Sequence, residues 1–521
     1  MSLFSLFDRS PLAIFACGLA FIFAYLLLDR TRARNPLPPG PWSLPFIGNI
    51  PSLIWAHDWI TYTDWYHKYG SDIVHVNVAG QPIIILNTLE AASELLEKRG
   101  AIYSSRPRYT MLNEVIGWKW NFVNMSYGPE WRACRKLFTT VISPNHPESY
   151  ESRELIAARN LLLDIYKSPE SYVQHLRKLA GSTILSVAYG FDVEAVKDSG
   201  YIGIAERANT GFIEACVPWN FLVDYFTWLK YVPAWMPGAS FQRKAQAWRQ
   251  DMEQLLRRPF SAVKRQIAEG TAEQSLVLNC LQDLSGDPEE DKEAERLIMH
   301  TAATMYAAGA DTTVTALMTF FLTMVKYPKY QKKAQEELDR VLGSDRLPDF
   351  RDRDNLPYVQ AIVDEVLRWQ PVTPMALAHF SSEEDIYKGY RIPKNSVVVG
   401  NSWAMLHDER IFNDPYAFNP DRYIRPGGRL EIDDVGFGFG RRICAGKDMA
   451  LSALWITVAS VLAVFDISNA LDENGQIIDP PVKYDIGKLQ NRPFPFKCSI
   501  KLRSPERLDV IKAGIDLAKQ M

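Results

Sequence analysis

From Glu90 to about residue 370, apolar and polar positions recur at the spacing of helices, and five segments stand out. They are Glu90–Arg99, Pro129–Thr140, Glu151–Tyr166, Tyr172–Tyr189 and Gln242–Ala268. The longest candidate runs from about Asp291 to Tyr327, with an acidic start and Pro328 as its stop. Its apolar residues lie on nearly every side, as in a helix that crosses a core. Upstream, Ile73 to Val78 and Ile83 to Leu86 flank a turn containing Gly80 and read as a β-hairpin. Downstream, short strands and loops dominate from Thr373 to Ile443, followed by an apolar helical run from Met449 to Ala463.

The N-terminus follows a different pattern. Leu12 to Leu28 carries no charge and is just long enough to span a bilayer; Asp29, Arg30, Arg32 and Arg34 follow at once. Those arginines are expected on the cytosolic side, with the chain's start in the lumen. A cleaved signal peptide is the rival reading, opposed by the basic flank and by the lack of a small-residue cleavage site. Residues 1–35 are therefore read as a membrane anchor with a basic stop and residues 36–50, rich in proline, as a semi-rigid hinge. Residues 51–521 are read as one folded domain. Trp219 to Trp235 is unusually aromatic, which suits either a satellite core or a second membrane contact.

Composition narrows the field. Hydrophobic residues make up 47% and charged residues 23%, as in an ordinary packed globule. A formal charge of −3 gives no hint of nucleic acid. The cysteines at 17, 134, 216, 280, 444 and 498 have no paired spacing, which argues against a disulfide framework or a zinc site.

One of them has unusual surroundings. Phe437-Gly438-Phe439-Gly440-Arg441-Arg442-Ile443-Cys444-Ala445-Gly446 sets a lone thiol among glycines. Glycines let the backbone turn its N–H groups toward a thiolate and approach a flat cofactor closely. On the long helix, Ala308-Gly309-Ala310-Asp311-Thr312-Thr313 places small residues before an acid–alcohol pair. Such a pair suits gated proton delivery, although a threonine-rich buried helix would look the same. Glu365 and Arg368 share a helix face. Apolar neighbours point to burial, and a buried pair needs further partners.

Together these segments resemble cytochrome P450 monooxygenases. The Cys444 loop, Glu365-Val366-Leu367-Arg368, Asn419-Pro420-Asp421-Arg422, the Ala308–Thr313 run and Trp131-x-x-x-Arg135 occur in that family's order. The resemblance implies one large, mainly α unit with a small β-rich lobe, preceded here by a single transmembrane helix. It implies haem b with Cys444 as axial ligand. Trp131, Arg135, His379 and Arg442 would bind the propionates, and Glu365, Arg368 and Arg422 would form a structural triad. Thr312 would bond bound dioxygen while Asp311 relays protons. Two positions depart from the common pattern, Ala445 in place of proline and Asn-Pro-Asp in place of Pro-Glu. Neither removes the ligand or the arginine.

No flavin or dinucleotide motif occurs, so electrons are expected from a separate NADPH-dependent reductase at the endoplasmic reticulum membrane. Arg132, Arg441 and Lys447 would steer that partner, unless they are merely a solvated charge patch. Trp118, Trp120, Phe122, Cys216, Gly309, Pro371, Val372, Met375 and Ala376 are candidate pocket residues, mostly apolar, as for a lipophilic substrate. Local sequence is similar to fungal microsomal members, which implies hydroxylation in secondary metabolism. A terpenoid is the first expectation, and an indole, aromatic or polyketide substrate the alternative. An oxygen-independent isomerase or dehydratase is disfavoured by Asp311-Thr312. A haem sensor would need neither Thr312 nor a reductase.

Overall fold

A computed structural model describes residue 18 and residues 35–54, 59–143, 145–192, 200–217, 220–425, 430–485 and 489–519. Apart from Gly18, the expected membrane helix at 12–28 lies outside these residues, as does Trp219. The β-lobe begins where alternation predicts it. Strand β1 (Ile73–Val78) and strand β2 (Gln81–Leu86) pair antiparallel around Ala79 and Gly80, both at positive φ. That geometry matches the strand twist across a two-residue loop, and Asn77 Oδ1 accepts the Gly80 N–H at 3.0 Å. Two later strands, β3 (His379–Phe380) and β4 (Val397–Gly400), complete a four-stranded sheet in the order β1-β2-β4-β3, with β4 parallel to β2. The proline-rich stretch lies against this lobe: Pro36 O accepts from Arg391 N at 2.8 Å and Pro39 O from His75 N at 2.9 Å.

Eight helices frame the interior: α1 (Pro129–Val141), α2 (Glu148–Lys167), α3 (Tyr172–Tyr189), α4 (Tyr201–Cys216), α5 (Ser240–Glu269), α6 (Pro288–Lys326), α7 (Pro357–Trp369) and α8 (Lys447–Val464). Helix α6 begins three residues before its expected start, because Asp287 caps it by accepting from Glu289 N and Glu290 N. It is buried along most of its length after Ile298 and packs against α3, α1 and α8. Helix α8 is buried from Leu454 to Val464 and for most of its apolar run, so its hydropathy reflects core placement. The expected helix Glu90–Arg99 is split into a capped turn, Leu89–Ala92, and a π-helical stretch, Ser93–Lys98. A C-terminal helix, Arg507–Lys519, which the periodicity did not single out, buries Ile511 in the core that also holds α2.

Candidate active site

The Cys444 loop closes on itself before α8 begins. Cys444 N–H donates to Phe437 O at 2.8 Å, and Gly438 and Gly440 adopt positive φ values of 90° and 51°. A Cβ on Gly440 would come within 2.5 Å of Leu96 O, so the loop docks backbone to backbone on the π-helical stretch. The sulfur faces an internal cavity of about 340 Å³. It receives the Gly446 N–H, which favours the thiolate, while surrounding protein pushes the thiol up.

Arginines converge on the same cavity. Arg135 donates to Ile443 O at 2.7 Å and Arg442 to Ser104 O at 2.6 Å, with the Arg442 guanidinium 4.5 Å from the centre of the Trp131 ring. Arg106, absent from the expected set, donates to Leu377 O at 2.7 Å and Ala378 O at 2.8 Å. All three arginines, with Trp131 and His379, line the cavity. Burial and the neighbouring Arg106 and Arg135 charges push Arg442 down to about 8, and burial takes Arg106 to about 10. Among the described residues none of the three has a carboxylate partner within 4.0 Å. Buried cations without counter-charges define a site for an anion. His379 Nδ1 lies 2.9 Å from Tyr103 O, which only accepts, so that nitrogen carries the proton. Burial and Arg106 hold this imidazole well below its ordinary range.

On the opposite wall α6 contributes Thr304, Met305, Ala307, Ala308, Gly309, Thr312 and Thr313. Thr312 Oγ1 donates to Ala308 O at 3.0 Å. Gly309 is small for a second reason, since a Cβ there would meet Ile184 Cγ1 of α3 at 2.9 Å. Asp311 does not line the cavity. It is buried on the adjacent face of α6, paired with Arg492, whose Nε also donates to Thr315 Oγ1 at 3.3 Å.

Of the expected pocket residues, Phe122, Gly309, Pro371, Val372 and Ala376 line the cavity. Trp118, Trp120 and Cys216 instead pack into the core around α5 and α6, with Trp118 and Trp120 stacked 5.2 Å apart. Met375 packs under the sheet. Aromatic bulk and proximity in sequence did not distinguish these four from true lining.

Glu365 and Arg368 are both fully buried. The carboxylate accepts from Arg368 Nε at 2.7 Å and Nη2 at 2.9 Å, from Arg422 Nε at 3.1 Å and from Asn419 N at 2.6 Å. Arg368 Nη1 is satisfied by Leu406 O and Pro415 O at 2.9 and 2.8 Å. This network ties α7 to the segment leading into the cysteine loop.

Part of the aromatic segment is core and part is surface. Phe221 is buried against Trp248, whereas Trp228 and Trp235 are 64% and 80% exposed. Asp224, in the same segment, accepts the Met111 N–H at 2.8 Å. Burial nevertheless pushes its carboxyl up to about 6. The folded chain then holds this proton more tightly than the unfolded one, so stability falls as pH rises from about 3.8 to 6. Asp224→Asn is expected to raise Tm by roughly 2–4 °C at pH 7.5. Thermal melts should show that advantage shrinking as pH falls through this window, and a constant difference would contradict it.

Of the cations on the cysteine side, Lys447 pairs with Asp434 at 3.0 Å, while Arg132 and Arg441 are exposed.

A sulfur donor in a glycine-bounded loop, an anion-seeking cluster at one rim and a helix of small residues opposite together suit a flat, doubly carboxylated macrocycle ligated through sulfur. Haem fits that donor set, and the fold around it is that of a haem-thiolate enzyme. A family model for cytochrome P450 matches residues 38–492. The chain is 42% identical over 494 residues to cytochrome P450 monooxygenase 98 of Postia placenta, covering 94% of both chains. It is 42% identical over 509 residues to cytochrome P450 monooxygenase ple1 of Rhodocybe pseudopiperita, covering 96% of both. It is 38% identical over 493 residues to tryptamine 4-monooxygenase of Psilocybe cyanescens, covering 93% of this chain and 96% of that one. The chain belongs to the cytochrome P450 family and is an oxidoreductase of the monooxygenase class.

Proposed function

We propose that this chain hydroxylates a neutral, lipophilic small molecule, with Cys444 as the axial ligand of haem b. Arg106, Arg135, Arg442, Trp131 and His379 would hold the propionates. Haem bound through a cysteine thiolate supplies dioxygen activation, and the electrons come from NADPH through a separate reductase. The lining of the cavity carries the substrate reading. Away from the arginine rim it is formed by Phe122, Ile184, Phe212, Met305, Val372 and similar residues, and it includes no carboxylate among the described residues. An ammonium group would find no counter-charge there.

A terpenoid of fungal secondary metabolism suits such a lining. An indole or polyketide aromatic is the second reading, favoured by the name of the tryptamine 4-monooxygenase relative. We place the protein at the endoplasmic reticulum membrane, anchored through residues 12–28. The exposed Trp228 and Trp235 support a second contact with lipid.

A spin-state titration of the haem-loaded protein tests the substrate class. Terpene hydrocarbons and alcohols form one panel, and tryptamine-like and polyketide aromatics the other. A shift to high spin with terpenoids and none with tryptamine is the expected outcome. A shift with aromatic amines alone would overturn it. Reductase-dependent NADPH consumption excludes a sensor.

A further inference from the structure

One polar side chain in the cavity wall is oriented by the fold without being used by it. Asn209 projects from α4, is only 7% exposed and lines the cavity. Its Nδ2 donates to Ala307 O on α6 at 2.8 Å. A carbonyl oxygen only accepts, so the amino end of the carboxamide is fixed toward α6 and the amide cannot be turned around. Oδ1 is thereby left with no protein donor among the described residues, and it is not sealed away from the cavity.

Several other polar groups of this wall have protein partners, although a hydroxyl that donates keeps lone pairs and is left a weaker acceptor than an amide oxygen. The hydroxyls of Thr183, Thr304 and Thr312 donate to the carbonyls of Leu179, His300 and Ala308 at 2.8, 2.8 and 3.0 Å. Asn121 Oδ1 accepts the Val123 N–H at 3.0 Å. In a wall that is mostly apolar, a strong acceptor held in one orientation discriminates between substrates that carry a donor and those that do not.

We infer that Asn209 is the substrate-orienting residue, and that its Oδ1 accepts a hydrogen bond from a neutral O–H or N–H group on the substrate. This rests on the lipophilic-substrate reading above and narrows it. The substrate is an apolar skeleton already bearing one donor. For a terpenoid, the reaction that supplies it is an earlier hydroxylation or a cyclisation ended by capture of water. Because α4 meets α6 through this amide one turn before Asp311-Thr312, a donor held there is fixed in distance from that pair.

Spin-state titrations with two matched pairs, cedrol against cedrane and indole against 1-methylindole, test the inference. In the unmodified protein the donor-bearing member of at least one pair is expected to bind about 5- to 10-fold more tightly, as one neutral hydrogen bond allows. The pair that shows the preference separates a hydroxyl from an indole N–H. Asn209→Ala and Asn209→Leu should abolish the preference and leave the affinity for the donor-free member within about threefold, since its apolar contacts remain. That member also serves as the control for folding. A preference that persists in both variants would assign the donor contact to another group and overturn the inference. Equal binding within both pairs in the unmodified protein would overturn it while leaving the lipophilic reading intact. If none of the four compounds shifts the spin state, the lipophilic reading itself fails and takes the inference with it.

Discussion

Glu365→Ala is expected to yield a chain that unfolds early and does not retain haem. The carboxylate is the only anion in the described surroundings of two guanidiniums, one fully buried and one nearly so. Removing it leaves both cations facing carbonyls alone. Breaking a buried pair in this way costs about 3–5 kcal/mol, a large share of the 5–15 kcal/mol that holds a typical fold together. Because Asn419 N also loses its acceptor, the damage reaches the segment before the cysteine loop. Glu365→Gln separates charge from shape: it keeps the volume and one acceptor but leaves two cations uncompensated, so it should fall on the same side as alanine. Thermal unfolding together with pigment content checks both variants. A full haem complement with Tm near that of the parent would contradict the assignment.

Asp311→Asn is expected to lower product formation about 100-fold, at the lower end of what general acid catalysis contributes, with substrate binding unchanged. Asp311 is held by Arg492 on a face of α6 that does not open into the cavity. If Asp311 relays protons to the Thr312 hydroxyl, as we propose, the carboxylate must exchange Arg492 for that partner. Arg492 neighbours Gln490 and Leu489, both of which line the cavity, so the ion pair lies directly behind the cavity wall. Arg492→Leu should release Asp311 from its ion pair. An enlarged solvent isotope effect in Asp311→Asn would accompany the slower step. Unaltered turnover in that variant would remove Asp311 from the proton path.

The elements carried by strong periodicity were legible from sequence: α3 falls at its expected ends, and α1, α5 and α6 shift by a few residues. What could not be read depends on three-dimensional fit. The π-helical stretch Ser93–Lys98 has an ordinary helical pattern, and its backbone is where Gly440 docks. Arg106 stands in an irregular stretch with no periodic signal, and only the fold brings it beside Arg442. The Cys444 loop was readable because glycine, thiol and arginine occur together in a few residues. The pocket was less so: Trp118 and Phe122 are four apart, chemically alike and both in one buried cluster, yet only Phe122 lines the cavity. The pairing of Asp311 with Arg492 joins residues 181 apart, beyond any local pattern.

The bonds that shape the cavity also set the order in which it is built. Arg135 reaches Ile443 across 308 residues, Arg442 reaches Ser104 across 338, and Arg106 reaches Ala378 across 272. Closing loops of that length must precede the contacts that reward it, so these bonds belong to the slow end of folding. During synthesis at about 5–20 residues per second, α1 to α6 can pack well before residue 444 leaves the ribosome. The nascent chain thus holds its arginine cluster half-assembled until the cysteine loop closes onto the π-helical stretch.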